Sequence, residues 1–166
     1  MQNARIDYLE FGIAYGDSFN WWINFNKNPN SRFISFDTFT GFLEKWANFE
    51  KGDLSSEGKT PQINDNRHSF QKGLFQDTLP ECIKYFSLQQ KTIINIDCDL
   101  YTSTLFVLTT LAPKLKKDDI IIFDDFNVRY PEDEFRAFYE FINAYKIRYK
   151  VICFSKVRGH FAIKLL

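Results

Sequence analysis

Two short runs of β-branched residues constrain the fold more than any other feature of the sequence. They are Thr92–Ile96 (TIINI) and Asp119–Phe123 (DIIIF). Runs of this kind form strands that are buried on both faces, and such strands occur in parallel sheets covered by helices. The segment between them, Thr102–Leu115, repeats apolar residues at helical spacing and starts with Ser and Thr residues that can cap a helix. A strand, a helix and a strand in this order predict an α/β protein.

The same alternation extends over the rest of the chain. Further strands are predicted at Ile6–Phe11, Arg32–Phe36 and Arg67–Phe70, with a terminal pair at Tyr149–Phe154 and His160–Leu165. Further helices are predicted at Asp17–Phe25, Thr38–Phe49, Pro80–Tyr85 and Pro131–Tyr145. In residues 52–66 the apolar residues recur at neither helical nor strand spacing, and the segment contains serine, glycine and proline, which predicts a surface loop. Five strands that alternate with helices, followed by a hairpin, predict a sheet that is parallel apart from one strand.

Composition excludes several classes of protein. The 166 residues, 45% of them apolar, suffice for one core and one domain. Basic and acidic residues balance at 21 each, so the chain lacks the basic excess of a nucleic-acid-binding protein. It has no apolar run of membrane-spanning length, and the charged residues Arg5, Asp7 and Glu10 exclude a secretory signal, which predicts a cytoplasmic protein. The cysteines (Cys82, Cys98, Cys153) form no CxxC pair, which predicts reduced and mostly buried thiols.

Acidic residues follow the predicted strands, at the edge of the sheet where ligands of α/β proteins bind. The first strand ends in Glu10-Phe-Gly12-Ile-Ala-Tyr-Gly16-Asp-Ser18. This turn lacks the GxGxxG pattern of a dinucleotide site. A carboxylate beside such a turn suits a cofactor with a cationic or amino-acid end, while the alternative is a tight turn that packs helix on sheet.

Asp37 ends the second strand. An acid at this position can accept hydrogen bonds from both hydroxyls of a ribose. It is equally placed to cap the helix predicted to follow.

The strongest constellation combines Asp97-Cys98-Asp99 with Asp124-Asp125, at the ends of two strands expected to be neighbours. Three carboxylates in one small site require a counter-charge, and a hard divalent cation such as Mg²⁺ supplies it. The alternative is that these aspartates act separately, as helix caps or surface charges.

The histidines, His68 and His160, have no sequence context that identifies a base, and both are expected to be structural. Most aromatic residues belong to the core. Phe39, Trp46 and Phe75 lie where they can stack on an adenine or floor a pocket.

Five ordered motifs resemble the macrocin O-methyltransferase family, which are class I S-adenosylmethionine-dependent methyltransferases. They are YLEFGIAYGDS, FDTFTGFLEKW, KGLFQDTLP, IDCDLYTST and IIFDDF, and the resemblance runs from about Tyr8 to the C-terminus. It implies a three-layer α/β sandwich whose Rossmann-like sheet has seven strands in the order 3214576, with the last strand antiparallel. It also implies Mg²⁺-dependent methylation of a hydroxyl on a sugar or a glycosylated small molecule.

The resemblance also implies roles for individual residues. The residues expected to bind S-adenosylmethionine are Glu10, Gly12, Tyr15, Gly16, Ser18, Asp37, Phe39, Gly73 and Phe75. Glu10, Gly12 and Gly16 are expected at the methionine end, and Asp37 at the ribose. The residues expected to bind the metal are Asp97, Asp124 and Asp125, with Asp97 also a candidate to take the acceptor proton directly or through water.

Family members usually carry an N-terminal segment that helps to cover the substrate, and here the first strand begins within about six residues. We therefore expect a single methyltransferase domain that lacks this lid, unless the chain is a fragment. The loop 52–66 or a second subunit is then expected to cover the site. Three other functions remain open: methylation of a catechol-like diol, non-catalytic binding of S-adenosylmethionine, and, more remotely, nicotinamide-dependent oxidoreduction.

Overall fold

The fold is built on a seven-stranded sheet. The structure, a computed structural model, describes residues 1–85, 90–126, 132–155 and 159–166. The strands are β1 (Ile6–Phe11), β2 (Arg32–Asp37), β3 (His68–Lys72), β4 (Lys91–Ile96), β5 (Ile120–Phe123), β6 (Tyr149–Phe154) and β7 (Phe161–Leu165). The helices are α1 (Asp17–Phe25), α2 (Phe75–Tyr85), α3 (Tyr101–Leu111) and α4 (Asp133–Tyr145), and a 3₁₀ turn at Ala112–Lys114 extends α3.

The strand order confirms the expected topology. The sheet runs β3-β2-β1-β4-β5-β7-β6, and β7 runs opposite to the other described strands. Phe11 lies opposite both Phe36 and Ile96, and Ile96 lies opposite Phe123. The strands β1, β2, β4 and β5 therefore end at one edge of the sheet, where their following turns meet.

Both faces of the central strands β1 and β4 are buried, which makes the molecule a three-layer sandwich. Along β1, Leu9 and Phe11 join one apolar cluster with residues of α2, α3 and α4. Ile6 and Tyr8 point to the other face, where they join a cluster with Phe19 of α1. Burial of each large apolar side chain contributes about 1.5 to 3 kcal/mol, so the strands that hold the turns in place are rigid. No helix within the described ranges is long and apolar enough to cross a membrane.

The helix predicted at Thr38–Phe49 is absent, and this prediction was wrong. The chain there forms a looped segment, residues 39–58, which we call the flap. Phe39 has φ 60° and Gly41 has φ 82°, and a Cβ at Gly41 would lie 2.2 Å from the carbonyl oxygen of Asp53. The amide of Phe42 donates to that same carbonyl at 3.0 Å. These contacts between distant residues replace the local hydrogen bonds of a helix.

The aromatic residues of the flap have helical spacing because they stack on one another. The ring centroids of Phe42 and Trp46 are 5.6 Å apart, and those of Trp46 and Phe49 are 5.9 Å apart. The spacing of four and three residues between these aromatic residues therefore reflects a loop whose side chains pack on one another. The predicted surface loop at 52–66 is confirmed as irregular, and its first residues belong to the flap.

Several boundaries differ from the predictions. Helix α2 begins at Phe75, five residues before Pro80, so that proline lies inside the helix. Helix α3 has Leu100 at its N-cap without a side-chain cap, so the expected cap is wrong: Ser103 and Thr104 are buried in the helix. The predicted start of α4 at Pro131 lies outside the described residues. The three cysteines are free, as expected, but Cys153 is exposed because β6 is an edge strand.

Candidate active site

The turns that follow β1, β2 and β4 line a cavity at the edge of the sheet. It encloses about 830 Å³ of space, part of it open to solvent. Its walls are formed by Gly12 and Ala14, by Asp37–Phe39, by Leu74–Gln76, by Asp97–Leu100, and by Gly41, Phe42, Leu43, Leu54 and Ser56 of the flap. Of the predicted cofactor and metal residues, Gly12, Asp37, Phe39, Phe75 and Asp97 thus share one cavity.

Gly12 joins the turn after β1 to the turn after β4. Its φ is 82°, and a Cβ there would lie 1.8 Å from the carbonyl oxygen of Asp97. The position therefore requires glycine for space as well as for backbone conformation. Gly16 precedes α1, and Tyr15 beside it is exposed.

Glu10 lies beneath this turn, buried at 1% exposure. Its carboxylate accepts hydrogen bonds from the hydroxyls of Tyr8 and Ser18. Burial raises the pKa of Glu10 to about 7, although these two hydrogen bonds act in the opposite direction. The predicted residues Glu10 and Ser18 are therefore paired with each other beside the cavity.

Asp37 connects the turns after β1 and β2. One carboxylate oxygen accepts from the amides of Ile13 at 2.9 Å and Ala14 at 3.2 Å, and the other accepts from the amide of Phe39 at 2.6 Å. The alternative role of Asp37 as a helix cap is excluded because the element that follows β2 is the strand β3, and no helix begins between them. Its backbone carbonyl accepts from the amide of Gly73 at 2.9 Å, which places the turn after β3 beside it.

The aromatic candidates have different surroundings. Phe39 is 2% exposed and packs edge-on against Phe70. Phe75 packs edge-on against Phe11 at the start of α2, and both Phe39 and Phe75 reach the cavity wall. Trp46 stacks inside the flap instead.

Three aspartates meet at the ends of β4 and β5, as predicted. One carboxylate oxygen each from Asp97, Asp124 and Asp125 lies within 4.8 Å of the others. The amide of Asp124 donates to the carbonyl of Ile96 at 3.0 Å, so the ladder between β4 and β5 brings the acids together. Burial, followed by the charge of Asp124, raises the pKa of Asp97 to about 8.

Asp99 and Glu134 extend this acidic cluster. Asp99 lies on the cavity wall with φ 60°, and burial and a hydrogen bond with Asp125 raise its pKa to about 8. Glu134 is fully buried, and burial raises the pKa of its carboxyl well above the usual value. Sequence reasoning missed Glu134 as a site residue, because an acid in the first turn of a helix is ordinarily explained by the helix dipole. A helical projection does find it, since it shares the buried face of α4 with Ala137, Phe138 and Phe141.

The two histidines differ in position. Nε2 of His160 lies 3.0 Å from Oδ1 of Asp124, so this half-exposed side chain faces the acidic cluster. His68 lies on β3, where a ring nitrogen contacts the carbonyl of Asp65 and the ring packs on Phe70. The structural role expected of a histidine fits His68, whereas His160 faces one of the clustered acids.

Comparison with known proteins identifies the family. The model of the macrocin O-methyltransferase (TylF) family matches residues 49–157, more than half of the chain. The chain belongs to this family. No curated protein matches the sequence. Membership in the macrocin O-methyltransferase family confirms the resemblance seen in the motifs and makes the protein a methyltransferase.

Solved structures confirm the methyltransferase fold. The calicheamicin methyltransferase CalS11 is 20% identical with a TM-score of 0.74, over 95% of this chain and 71% of that one. The O-methyltransferase NovP is 21% identical with a TM-score of 0.70, over 97% and 72%. An O-methyltransferase from Bacillus cereus in complex with SAH is 19% identical with a TM-score of 0.66, over 99% and 75%. The family match begins inside the flap, whereas these structures also cover the turn after β1.

Proposed function

We propose that this member of the macrocin O-methyltransferase family transfers a methyl group from S-adenosylmethionine to a hydroxyl of a sugar or glycosylated small molecule, with Mg²⁺ bound. The observation that carries the proposal is the convergence of Asp97, Asp124 and Asp125 beside the cavity, within 4.8 Å of one another. Methyl transfer to an acceptor hydroxyl beside a cation would require this adjacency of a cofactor cavity and a cation site.

The cavity residues fit S-adenosylmethionine. Asp37 offers carboxylate oxygens on the cavity wall. The hydroxyls of a ribose would compete there with the backbone amides that donate hydrogen bonds to Asp37. The turn from Gly12 to Gly16 would hold the methionine end beside Tyr15 and Ser18, with Glu10 beneath. The aromatic residues Phe39 and Phe75, with Gly73, would enclose the adenine. The Bacillus cereus enzyme was solved with SAH and the O-methyltransferase TomG from Streptomyces achromogenes with SAM, which supports this cofactor.

The acidic cluster fits Mg²⁺. Its donors are carboxylate oxygens, which hard cations prefer. Burial and mutual repulsion raise the pKa of Asp97 to about 8, so the acids hold charge poorly without a cation. When bound, Mg²⁺ supplies Lewis acidity that lowers the pKa of an acceptor hydroxyl.

The reaction requires one proton acceptor from the chain. The acceptor O–H bond breaks, a carboxylate takes the proton, and an O–CH₃ bond forms while the S–CH₃ bond of the cofactor breaks, leaving a neutral sulfide. Asp97 is our first candidate for this carboxylate, directly or through water. Asp99 is the second, because it lies on the cavity wall outside the metal-binding triad.

The flap, which includes the first residues of the loop 52–66 that was expected to cover the site, is suited to cover the acceptor. Three contacts fasten it to the body: Trp46 Nε1 donates to Asp133 at 3.1 Å, Thr102 Oγ1 donates to Glu44 at 3.3 Å, and Lys72 Nζ donates to the carbonyl of Gly58 at 2.6 Å. Water exclusion by such a cover strengthens electrostatic interactions within the site. A second copy of the chain is the alternative cover, which would make the enzyme a homo-oligomer.

A second candidate acceptor, a catechol-like diol, is favoured by the apolar side of the flap. Phe42, Leu43 and Leu54 line the same cavity as the turn after β4. An aromatic ring would pack on these side chains while adjacent hydroxyls approach the metal. The alternative without catalysis, a domain that only binds S-adenosylmethionine, does not account for the convergent aspartates.

Calorimetric titration with S-adenosylmethionine and S-adenosylhomocysteine tests the cofactor without knowledge of the acceptor. We expect binding at micromolar concentration. Methyl transfer to a panel of nucleotide sugars, glycosides and catechols, with and without Mg²⁺, then identifies the acceptor class. Binding without transfer to any acceptor would favour the non-catalytic alternative. Tight binding of NADH instead would overturn the proposal.

A further inference from the structure

Glu134 is a buried carboxylate with no part in the proposed methyl transfer. Its side chain is fully buried in α4. Oε2 accepts from the backbone amide of Asp125 at 3.3 Å, and Oε1 has no hydrogen-bond partner among the described residues. Burial of a carboxylate with an unpaired oxygen is costly, so the position calls for an explanation other than packing.

The surroundings of Glu134 are acidic. The charges that act on it most strongly are those of Asp99, Asp97 and Asp125. A structural ion pair would place a cation there. The charges that act on Glu134 are those of carboxylates, and the contact that favours it is the hydrogen bond from the amide of Asp125.

That amide lies in the bend that follows β5. Strand β5 ends at Phe123, and Asp124 and Asp125 follow it in a bend. Asp124 is anchored to β4 through the carbonyl of Ile96. The hydrogen bond that the amide of Asp125 donates to Glu134 anchors the next residue. The orientation of the peptide at Asp125 determines where its carboxylate points relative to Asp97.

We propose that Glu134 is a positioning residue for the metal site. By accepting a hydrogen bond from the Asp125 amide, it orients the bend after β5 so that the carboxylates of Asp124 and Asp125 face Asp97. This proposal depends on the Mg²⁺ site of the proposed function. Groups behind a metal ligand commonly change metal affinity by 10- to 100-fold, although they do not contact the metal.

Two substitutions separate the hydrogen bond from the charge and volume of Glu134. Glu134→Gln keeps a carbonyl oxygen that can accept from the Asp125 amide. Glu134→Met keeps an unbranched side chain of similar length and removes the acceptor. Glu140→Gln is the matched control, since Glu140 lies on the same helix but accepts from Tyr101 and Arg136 near the surface.

The experiment is a titration with Mn²⁺ followed by electron paramagnetic resonance, with S-adenosylhomocysteine present, alongside calorimetric titration of S-adenosylhomocysteine itself. We expect Glu134→Met to weaken Mn²⁺ binding at least tenfold, on the order of other groups behind metal ligands. We expect Glu134→Gln and Glu140→Gln to remain within about threefold of the wild type, since each keeps the Asp125 hydrogen bond. S-adenosylhomocysteine affinity should be unchanged in all three.

The outcomes are distinguishable. Wild-type Mn²⁺ affinity in Glu134→Met would overturn the positioning role and leave the metal site intact. Equal loss in Glu134→Gln and Glu134→Met would also overturn it, because charge rather than the hydrogen bond would then matter. A parallel loss of S-adenosylhomocysteine affinity in Glu134→Met would show a merely structural role. A wild-type chain that binds no Mn²⁺ would overturn the metal site and this inference together.

If circular dichroism shows that Glu134→Met does not fold, Glu134→Asp provides the same comparison. The shorter side chain keeps the charge and withdraws the acceptor from the Asp125 amide. Weaker Mn²⁺ binding than in Glu134→Gln supports the proposal, and binding equal to or tighter than in Glu134→Gln contradicts it.

Discussion

The carboxylates near the turns after β1 and β2 have different neighbours from those at the ends of β4 and β5. The carboxylate of Asp37 accepts hydrogen bonds from three backbone amides, and that of Glu10 accepts hydrogen bonds from two hydroxyls. At the other end, burial and neighbouring charges raise the pKa of both Asp97 and Asp99 to about 8. The first region is therefore organised by its own hydrogen bonds, whereas the second contains charge repulsion that a cation would relieve.

This difference indicates how each half acts in function. A turn held by amides keeps its shape before a ligand arrives, so binding costs little reorganisation. Clustered carboxylates repel one another, and a cation that relieves this repulsion is bound more tightly as a result. We therefore expect cofactor binding at the turns after β1 and β2 to persist without metal. We expect the acidic ends of β4 and β5 to control turnover.

The largest effect is expected from Asp97→Asn. Loss of a metal ligand that is also a candidate base should lower the rate of methyl transfer at least 100-fold. S-adenosylhomocysteine affinity should stay within a few-fold of wild type because the turns after β1 and β2 are intact. The thermal stability of the metal-free protein should rise, since one repelling charge is gone. Unchanged Mg²⁺-dependent transfer in this variant would show that Asp97 has neither role.

The next largest effect is expected where the two regions touch. In Gly12→Ala the new Cβ would lie 1.8 Å from the carbonyl oxygen of Asp97, and the φ of 82° adds strain. Displacement of the β4 turn and this strain should together cost about 3 kcal/mol of unfolding free energy. Denaturant unfolding measures this cost.

Gly52→Ala is the control for Gly12→Ala. Gly52 has φ 92°, but nothing lies within 4 Å of a Cβ there. It should lose only the strain component, about 1 kcal/mol. Equal losses in the two variants would show that the contact with Asp97 is unimportant.

The sequence predicted the sheet because buried β-branched strands and their terminal acids are local patterns. It predicted that Asp97, Asp124 and Asp125 meet, since adjacent parallel strands end together. It failed at Thr38–Phe49, where stacked aromatic rings have the spacing of a helix and the deciding contacts join Gly41 to Asp53. It missed Glu134 because a glutamate in the first turn of a helix has an ordinary explanation in the dipole.

A smaller effect is expected from pH on the metal-free protein. The pKa of Asp97 is about 8 in the folded chain, against an ordinary value of 3.8. The folded state therefore binds protons more tightly than the unfolded state, and stability falls as the pH rises from about 4 to about 8. The melting temperature without metal should be several degrees lower at pH 8 than at pH 6.

Magnesium should remove most of this pH dependence, because a bound cation favours the ionised carboxylates. Differential scanning calorimetry at both pH values, with Mg²⁺ and with a chelator, measures the difference. Asp97→Asn should show a flatter profile than wild type in the chelator. A melting temperature that rises between pH 6 and pH 8 without metal would contradict the assigned repulsion.

The smallest effect is expected at the contact that links the flap to the start of α4. Trp46→Phe keeps the ring stack with Phe42 and Phe49 but removes the hydrogen bond to Asp133, at the residue before Glu134. One hydrogen bond to a charged group is worth about 1.5 to 3 kcal/mol at most, and partial exposure reduces this. If the flap covers the acceptor, KM for the acceptor should rise a few-fold while kcat and S-adenosylhomocysteine affinity stay the same. Trp21→Phe, on the exposed side of α1, is the control, and a rise in KM of equal size there would remove the flap from acceptor binding.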